Sequence, residues 1–395
     1  MTVIYLGLLY TNEMIENRER YSSYGLQMAP HVFQTNLLQG FENNGVEVKV
    51  LSVPPIGSFP KNCKKLFFKK EKWGKNNYQI PYLNLPIIKW FIQEKKILKE
   101  IKKIIKENND EDIRIVAYSP YLPFLNAIKE IKKKYPFIKS NMIVTDCVPG
   151  RGDMEKYMTK SAIRKGNIVV KLAKNVDTFA LLTKYLADTL EIGNKPYVIT
   201  ECICNENQKV ATAKEKSENI FLYAGSISKE FGVNTLVEVF SKIDNATLWI
   251  CGKGDSEESI NYVKDMAKKH SNIKYLGFVS REEVSELTDK CDFLINPRTP
   301  TGTYTKYSFP SKTAEYMMSG KPTIMYKLEG VLDSYDNYLN YITATDPDNL
   351  KIEIENIINS DYKKLQEKAL QAREFMLNNN NSQKQAQKII NIMEK

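Results

Sequence analysis

Twice along this chain a short, uninterrupted apolar run is followed by a polar turn and then by a stretch of helical length. The first cycle runs from Val3-Ile4-Tyr5-Leu6-Gly7-Leu8-Leu9 through a polar loop over 11–24 and a helix over 32–41. It closes on the alternating strand Val46-Glu47-Val48-Lys49-Val50-Leu51. A second cycle starts at Ile220-Phe221-Leu222-Tyr223-Ala224-Gly225, turns through 226–232 and enters a helix over 233–242. Continuous apolar runs suit strands buried on both faces, and strands alternating with helices predict a doubly wound α/β architecture. The 395 residues leave room for two such domains. The polar stretch 205–218 is the natural linker, so the predicted domains are 1–200 and 205–375. Open α/β sheets bind ligands beyond the carboxyl ends of their strands. That rule singles out Ser119 and Asp146 in the first half. In the second half it singles out Gly225, Ser226, the Gly252-Lys253-Gly254-Asp255 turn and Pro297-Arg298.

The stretch from Tyr307 to Ile324 reads as loop, short helix, stop and strand. Pro310 suits a first helical position, where its missing N–H costs nothing; Gly320 suits a left-handed stop, and Pro322 forbids continuation. The amides of Ser311 and Lys312 then sit free at a helix N-terminus, and Lys312 adds a full charge. Such a terminus binds phosphate. Glu315, one turn in, can accept hydrogen bonds from sugar hydroxyls. On chemistry alone a plain surface helix explains these residues equally well.

The run Asn296-Pro297-Arg298 … Tyr307-Ser308-Phe309-Pro310-Ser311-Lys312 … Glu315-Tyr316 … Ser319-Gly320 resembles the donor-binding segment of retaining glycosyltransferases of family 4, in their bacterial polysaccharide branch. The resemblance implies a GT-B fold: two Rossmann-like doubly wound domains facing an inter-domain cleft. A C-terminal helix of about 380–395 is expected to return to the first domain. It implies a metal-independent hexosyltransferase that moves a sugar from a nucleotide diphosphate sugar to a glycan or lipid-linked acceptor, retaining anomeric configuration. Donor contacts are expected from Gly225, Ser226, Lys229, Gly252, Gly254, Tyr307, Ser311, Lys312 and Glu315. Phe278 and Val279 stand where the family holds the base. Arg298, Lys312 and Asp146 are the candidate catalytic groups, and Ala29 and Ser119 face the acceptor and transferred sugar. The chain departs from the family at Asp146, where a His is common, and at four further places. Ser226 stands for an Arg, Phe231 for a Lys, Tyr307 for an acid, and Met28-Ala29-Pro30 lacks the usual glycine pair. Diphosphate charge then falls to Lys229, Arg298 and Lys312. A catalytically inactive nucleotide-sugar-binding subunit and a GT-B nucleotide-sugar 2-epimerase are the alternative readings.

Charge adds a further expectation. Lys and Arg number 57 against 47 Asp and Glu. Between Lys61 and Lys106 there are 14 lysines and three acidic residues, interleaved with Phe67, Phe68, Trp73, Trp90 and Phe91. Ile87, Phe91, Leu98, Ile101 and Ile105 are spaced for one helical face, with lysines on the others. A basic amphipathic segment of this kind predicts docking on an anionic membrane surface, the alternative being a core-facing helix with a solvated lysine face. No nucleic-acid motif accompanies the lysines, so no nucleic-acid partner is expected. Six scattered cysteines without a CxxC pair, and only two histidines, argue against disulfides and a His-based metal site. No apolar run is long enough to span a membrane, and the opening residues read as a strand rather than a leader. The expected location is cytoplasmic and peripheral, on the inner face of the plasma membrane.

Overall fold

A computed structural model describes all residues except 24, 74–75, 109–111, 153–154, 156–157, 213–215, 217 and 303. Asp153, at the end of the glycine-rich loop beside Asp146, and part of the expected linker lie outside the described residues. The chain divides into two compact units, Met1–Ile203 with Ser382–Lys395, and Cys204–Asn381.

The first unit is built on the strands β1 (Thr2–Gly7), β2 (Glu47–Ser52), β3 (Phe67–Phe68), β4 (Glu71–Trp73), β5 (Asn77–Gln79), β6 (Tyr82–Leu83), β7 (Ile113–Tyr118), β8 (Lys139–Val144), β9 (Thr178–Leu181) and β10 (Tyr197–Ile199). Eight of them form one sheet in the order β10-β9-β8-β7-β1-β2-β5-β4, while β3 and β6 pair separately. All neighbours in the large sheet run parallel except the edge pair β4–β5. Strand order reverses between β1 and β7, so the switch point lies between Gly7 and Tyr118. Val3, Tyr5, Val116 and Ile143 supply the buried face, and Ala386 and Ile389 of the helix Ser382–Glu394 close over it.

The second unit is a six-stranded, wholly parallel sheet of β11 (Ile220–Ala224), β12 (Thr247–Cys251), β13 (Ile273–Tyr275), β14 (Phe293–Asn296), β15 (Thr323–Tyr326) and β16 (Asn340–Ile342). Its order is β13-β12-β11-β14-β15-β16. Reversal falls between β11 and β14, where Phe221 and Phe293 stack at 4.5 Å. Both units are therefore Rossmann-like doubly wound sheets, as the strand–helix alternation predicts.

Several local expectations change. The loop 11–24 contains two short helices, Asn12–Glu16 and Arg18–Tyr21, because Met14 and Tyr21 are buried in a small cluster with Phe68 and Tyr82. The next helix starts at Met28 rather than 32, since Pro30 in its first turn has no N–H to lose. Ala29 accordingly lies on that first turn, exposed, and not in a loop before it. In the lysine-rich segment the helix is Ile88–Glu107, and its buried stripe is Gln93, Ile97, Ile101, Ile104 and Ile105. Ile87 precedes the helix with a left-handed φ of 63°, so it leaves the helical register; it and Phe91 are more than half exposed. The helix Lys160–Ala173, capped by Thr159, was not foreseen. Residues 208–212 do not hang free as a linker. The Ala211 amide bonds Ser319 O at 2.8 Å, and the Gln208 side chain donates to Glu315 O at 2.7 Å.

Candidate functional site

The parallel strands of the second unit all deliver their carboxyl ends to one edge, and the glycines there allow the connecting loops to meet. Gly225, after β11, donates its N–H to Cys251 O at 3.0 Å, and Gly252, after β12, donates to Gly277 O at 2.8 Å. Gly252 has φ 148°, and a Cβ on it would stand 1.7 Å from Gly225 O. Only a residue without a side chain permits that approach. Beyond it Ile227 and Gly254 form a parallel bridge, Ser228 caps the turn Lys229–Phe231, and the Tyr223 hydroxyl donates to Ser226 O at 2.7 Å. Ser226 and Lys229 are exposed on this turn.

Arg298 follows β14 on the opposite side of the switch point. Its amide donates to the Asn296 side-chain oxygen at 3.3 Å, and Nη2 donates to Ser308 Oγ at 2.9 Å. The guanidinium carbon lies 4.6 Å from the Tyr304 ring and 5.6 Å from the Phe231 ring. Nε is buried with no partner, and no carboxylate of the described residues pairs with the group. Burial pulls its pKa below the ordinary arginine value, partly opposed by Tyr304 and Tyr223. A desolvated cation with spare donors and no counter-ion is a site that gains from an arriving anion. Phe231 thus takes up a different task from the cation its family position implies: it flanks Arg298. Tyr304 was missed by sequence reading, and only its place in the loop after Arg298 could have flagged it.

The helix Ser311–Ser319 is held against β11 by Tyr316, whose hydroxyl accepts the Ala224 N–H at 3.0 Å. Pro310 is the cap, not the first helical residue; its carbonyl accepts the Thr313 N–H at 2.9 Å, which commits it to starting the helix. Ser311 and Lys312 then carry first-turn amides without intrahelical acceptors. Gly320 ends the helix with φ 73°. Burial pushes the Cys251 thiol, at the end of β12, up to about 11, and the Lys312 ammonium draws it part of the way back. Lys312 Nζ also pairs with Glu315 Oε2 at 2.7 Å, both partly exposed. An exposed pair of this type contributes about 0.2–1 kcal/mol, so a diphosphate can replace it at little cost. Tyr307 is buried and supports the loop rather than facing a ligand surface. Phe278 is 69% exposed with Lys253 Nζ 4.3 Å from its ring, and Val279 packs inward against the buried cluster that includes Leu222 and Cys251.

In the first unit Ser119 and Asp146 share one cavity with Trp90, Tyr121 and Lys165, whereas Ala29 is not in its wall. The candidate catalytic groups are thus distributed, with Asp146 in the first unit and Arg298 and Lys312 in the second.

Residues 205–375 match the family model described as Glycosyl transferases group 1. A search of curated proteins finds no match. Among solved structures, sucrose-phosphate synthase from Thermosynechococcus elongatus superposes with a TM-score of 0.64 at 13% identity, covering 100% of this chain and 98% of that one. The lipopolysaccharide outer core galactosyltransferase WaaB does so with a TM-score of 0.62 at 14% identity, covering 100% and 99%. A variant of S. aureus TarM, crystallised with fondaparinux, alpha-GlcNAc-glycerol and UDP, gives 0.57 at 9% identity and full coverage of both chains. The fold is that of GT-B glycosyltransferases.

Proposed function

We propose that this chain is a retaining, metal-independent glycosyltransferase of family 4. It moves a hexose from a nucleotide diphosphate sugar to a glycan or lipid-linked acceptor in cell-surface polysaccharide synthesis. The observation that carries the reading is Arg298: a half-buried guanidinium without a carboxylate partner, at the switch point of a sheet whose facing loop is built on two closely apposed glycines. The match of residues 205–375 to a glycosyl transferase model supports the same reading.

The chemistry follows from charge. As the anomeric carbon–oxygen bond breaks, negative charge grows on the departing diphosphate. Arg298, Lys312 and the amides of Ser311 and Lys312 stabilise that charge more than they stabilise the intact donor, which lowers the barrier. Glu315 holds the ribose hydroxyls, Phe278 and Val279 flank the base, and Asp146 takes a sugar hydroxyl.

Purified protein titrated with UDP-, GDP- and TDP-sugars should melt higher with one nucleotide class, because a ligand of the folded state stabilises it by mass action. The same donor with an acceptor extract should release nucleoside diphosphate. Binding without transfer or hydrolysis would favour an inactive sugar-binding subunit; conversion of the donor sugar without acceptor would favour a 2-epimerase.

Glu315→Ala separates two roles for that carboxylate. As a ribose ligand its loss weakens UDP binding by roughly tenfold or more, the value of a charged hydrogen bond. Inorganic pyrophosphate, which has no ribose, should bind no worse, since Lys312 is released from its pair. Unchanged UDP affinity by calorimetry would end the ribose assignment.

Membrane docking belongs to the same proposal. Ile87, Ile88 and Phe91 are exposed at the start of the helix Ile88–Glu107, and Phe67 is exposed too. Lys95, Lys96 and Lys99 are exposed on that helix. An apolar tip with a lysine face suits insertion into the headgroup layer of an anionic bilayer. No helix among the described residues is long and apolar enough to cross one. The double change Ile87→Asp, Phe91→Asp should lower sedimentation with phosphatidylglycerol vesicles by roughly tenfold, from lost apolar burial. Equal sedimentation of variant and parent would refute the docking site.

A further inference from the structure

The helix that carries Ser311, Lys312 and Glu315 is held at its far end by the segment that leads into the second unit. We propose that this segment, residues 208–212, forms with Arg373 a positioning strap for the donor site. The strap fixes the helix Ser311–Ser319 so that its first-turn amides stand where a diphosphate needs them. This role rests on the donor-site reading and goes to residues that touch no part of the ligand.

A helix ends with carbonyls that have no intrahelical donor. Here each of the last four is met. The Tyr316 carbonyl accepts from Ser319 Oγ at 2.6 Å, and the Met317 carbonyl from the Gly320 amide at 3.2 Å. Those two bonds are local. The other two come from distant parts of the chain: the Ala211 amide donates to Ser319 O at 2.8 Å, and Arg373 Nη1 donates to Met318 O. Gln208 Nε2 reaches further back, to Glu315 O at 2.7 Å. Arg373 Nη2 donates to Gln208 O at 2.9 Å, so one guanidinium ties strap and helix together. The strap is pinned beyond the helix as well, where the Thr212 amide donates to Asp289 Oδ1 at 3.1 Å. Between these bonds Val210 lies over Gly320 beside Leu370; a Cβ on Gly320 would stand 3.3 Å from both side chains.

Charge and leverage point the same way. The carbonyl end of a helix carries about half a negative charge, and a cation there is favourable. Arg373 is half-buried, where such an attraction is screened less than in open solvent. Nine residues make the helix about 14 Å long, so Arg373 and the strap stand a full helix away from a phosphate on the first turn. Toward the sheet, the Tyr316 hydroxyl holds the helix at the Ala224 amide. The bonds to Met318 O and Ser319 O lie beyond that point and oppose tilting about it. Tilting displaces the first turn, and a misplacement of about 1 Å costs roughly 10²-fold in rate. Strap and ligand are then coupled in both directions. If opening the strap weakens diphosphate binding by some factor, bound diphosphate suppresses opening by the same factor.

The test uses the full chain with inorganic pyrophosphate and UDP. In the parent, saturating pyrophosphate should slow hydrogen exchange at the Ala211 and Thr212 amides roughly threefold or more, although both lie at the opposite end of the helix. Arg373→Ala, measured well below its melting point, should weaken pyrophosphate and UDP by a similar factor. Gln208→Ala removes one strap bond at the surface and should act in the same direction by a smaller factor; it decides the matter if Arg373→Ala does not fold. A clamp that only stabilises the unit would lower the melting point of both variants and leave their affinities at parent values, which overturns the proposal. Exchange at Ala211 and Thr212 that does not respond to bound pyrophosphate overturns it too, while the donor-site reading stands. If the parent binds neither pyrophosphate nor UDP, that reading falls and the role of the strap falls with it.

Discussion

Replacing Arg298 with alanine is expected to lower the turnover number about 10²–10³-fold, with a smaller loss of donor affinity. The magnitude is that of removing one preorganised donor from a site where charge develops. The split between turnover and affinity follows from timing. On the proposed reading the diphosphate charge of the intact donor is already shared with Lys312 and the first-turn amides; the extra charge appears only as the bond to the sugar breaks. A group that meets that extra charge is lost from kcat more than from binding. Arg298→Lys should recover only part of the rate. A lysine puts a compact point charge where the planar, forked guanidinium bonds Ser308 Oγ and stands 4.6 Å from the Tyr304 ring and 5.6 Å from the Phe231 ring. Thermal stability of the alanine variant should not fall, because a half-buried cation without a counter-ion is removed. Steady-state kinetics with the identified donor decides the matter: kcat within threefold of the parent would exclude Arg298 from the chemistry.

How much of this was legible in the sequence depends on which interactions set each feature. Strands such as 2–7 and 220–224 were readable because continuous apolar residues have few alternatives when a helix must cover each face. The helix stop at Gly320 was readable because it is local: the residue type itself dictates the geometry. The register of the helix Ile88–Glu107 was not. Its spacing permits either the stripe through Phe91 and Leu98 or the one through Ile97 and Ile104, and only the packing partner, the helix Leu122–Lys134, chooses. The turn at Ile87 resists prediction for a related reason. Nothing local favours a β-branched residue at positive φ.

The two candidate sites differ in the same way. In the second unit the candidate donor residues lie on short loops at the carboxyl ends of β11, β12 and β14 and at the start of the helix Ser311–Ser319, so motif spacing was enough to collect Gly225, Gly252, Arg298 and Lys312. The first-unit cavity joins residues from three separate stretches, around 90, 119–122 and 146–169. Ser119 and Asp146 were found because they end strands. Trp90 and Lys165 lie on helices; Trp90 was read as part of the basic membrane-docking segment, and Lys165 carried no sequence signal. The Lys312–Glu315 pair was also invisible. Both residues were assigned to the ligand, and the structure has them paired with each other at 2.7 Å.

Gly252→Ala is expected to destabilise the second unit by about 3 kcal/mol or more, and it isolates the close approach on which the donor loops depend. Two costs combine. An L-residue at φ 148° carries backbone strain of about 1–3 kcal/mol. Its Cβ would also fall 1.7 Å from Gly225 O, a backbone atom that cannot rotate away. Relief requires the ends of β11 and β12 to part. That stretches the Gly225 N–H bond to Cys251 O or the Gly252 N–H bond to Gly277 O. For a unit of this size each kcal/mol shifts the midpoint by about 2–4 °C, so calorimetry should show the second unit melting roughly 6–12 °C lower. Gly277→Ala is the control from the same edge of the same sheet. Its φ of 77° brings strain, yet nothing lies within 4 Å of the added Cβ. It should cost about 1 kcal/mol. If the two variants melt together, the glycine apposition is not what holds the loops of β11 and β12 in place. If Gly252→Ala alone melts early and UDP binding falls with it, the diphosphate-binding edge and the stability of the sheet share one contact.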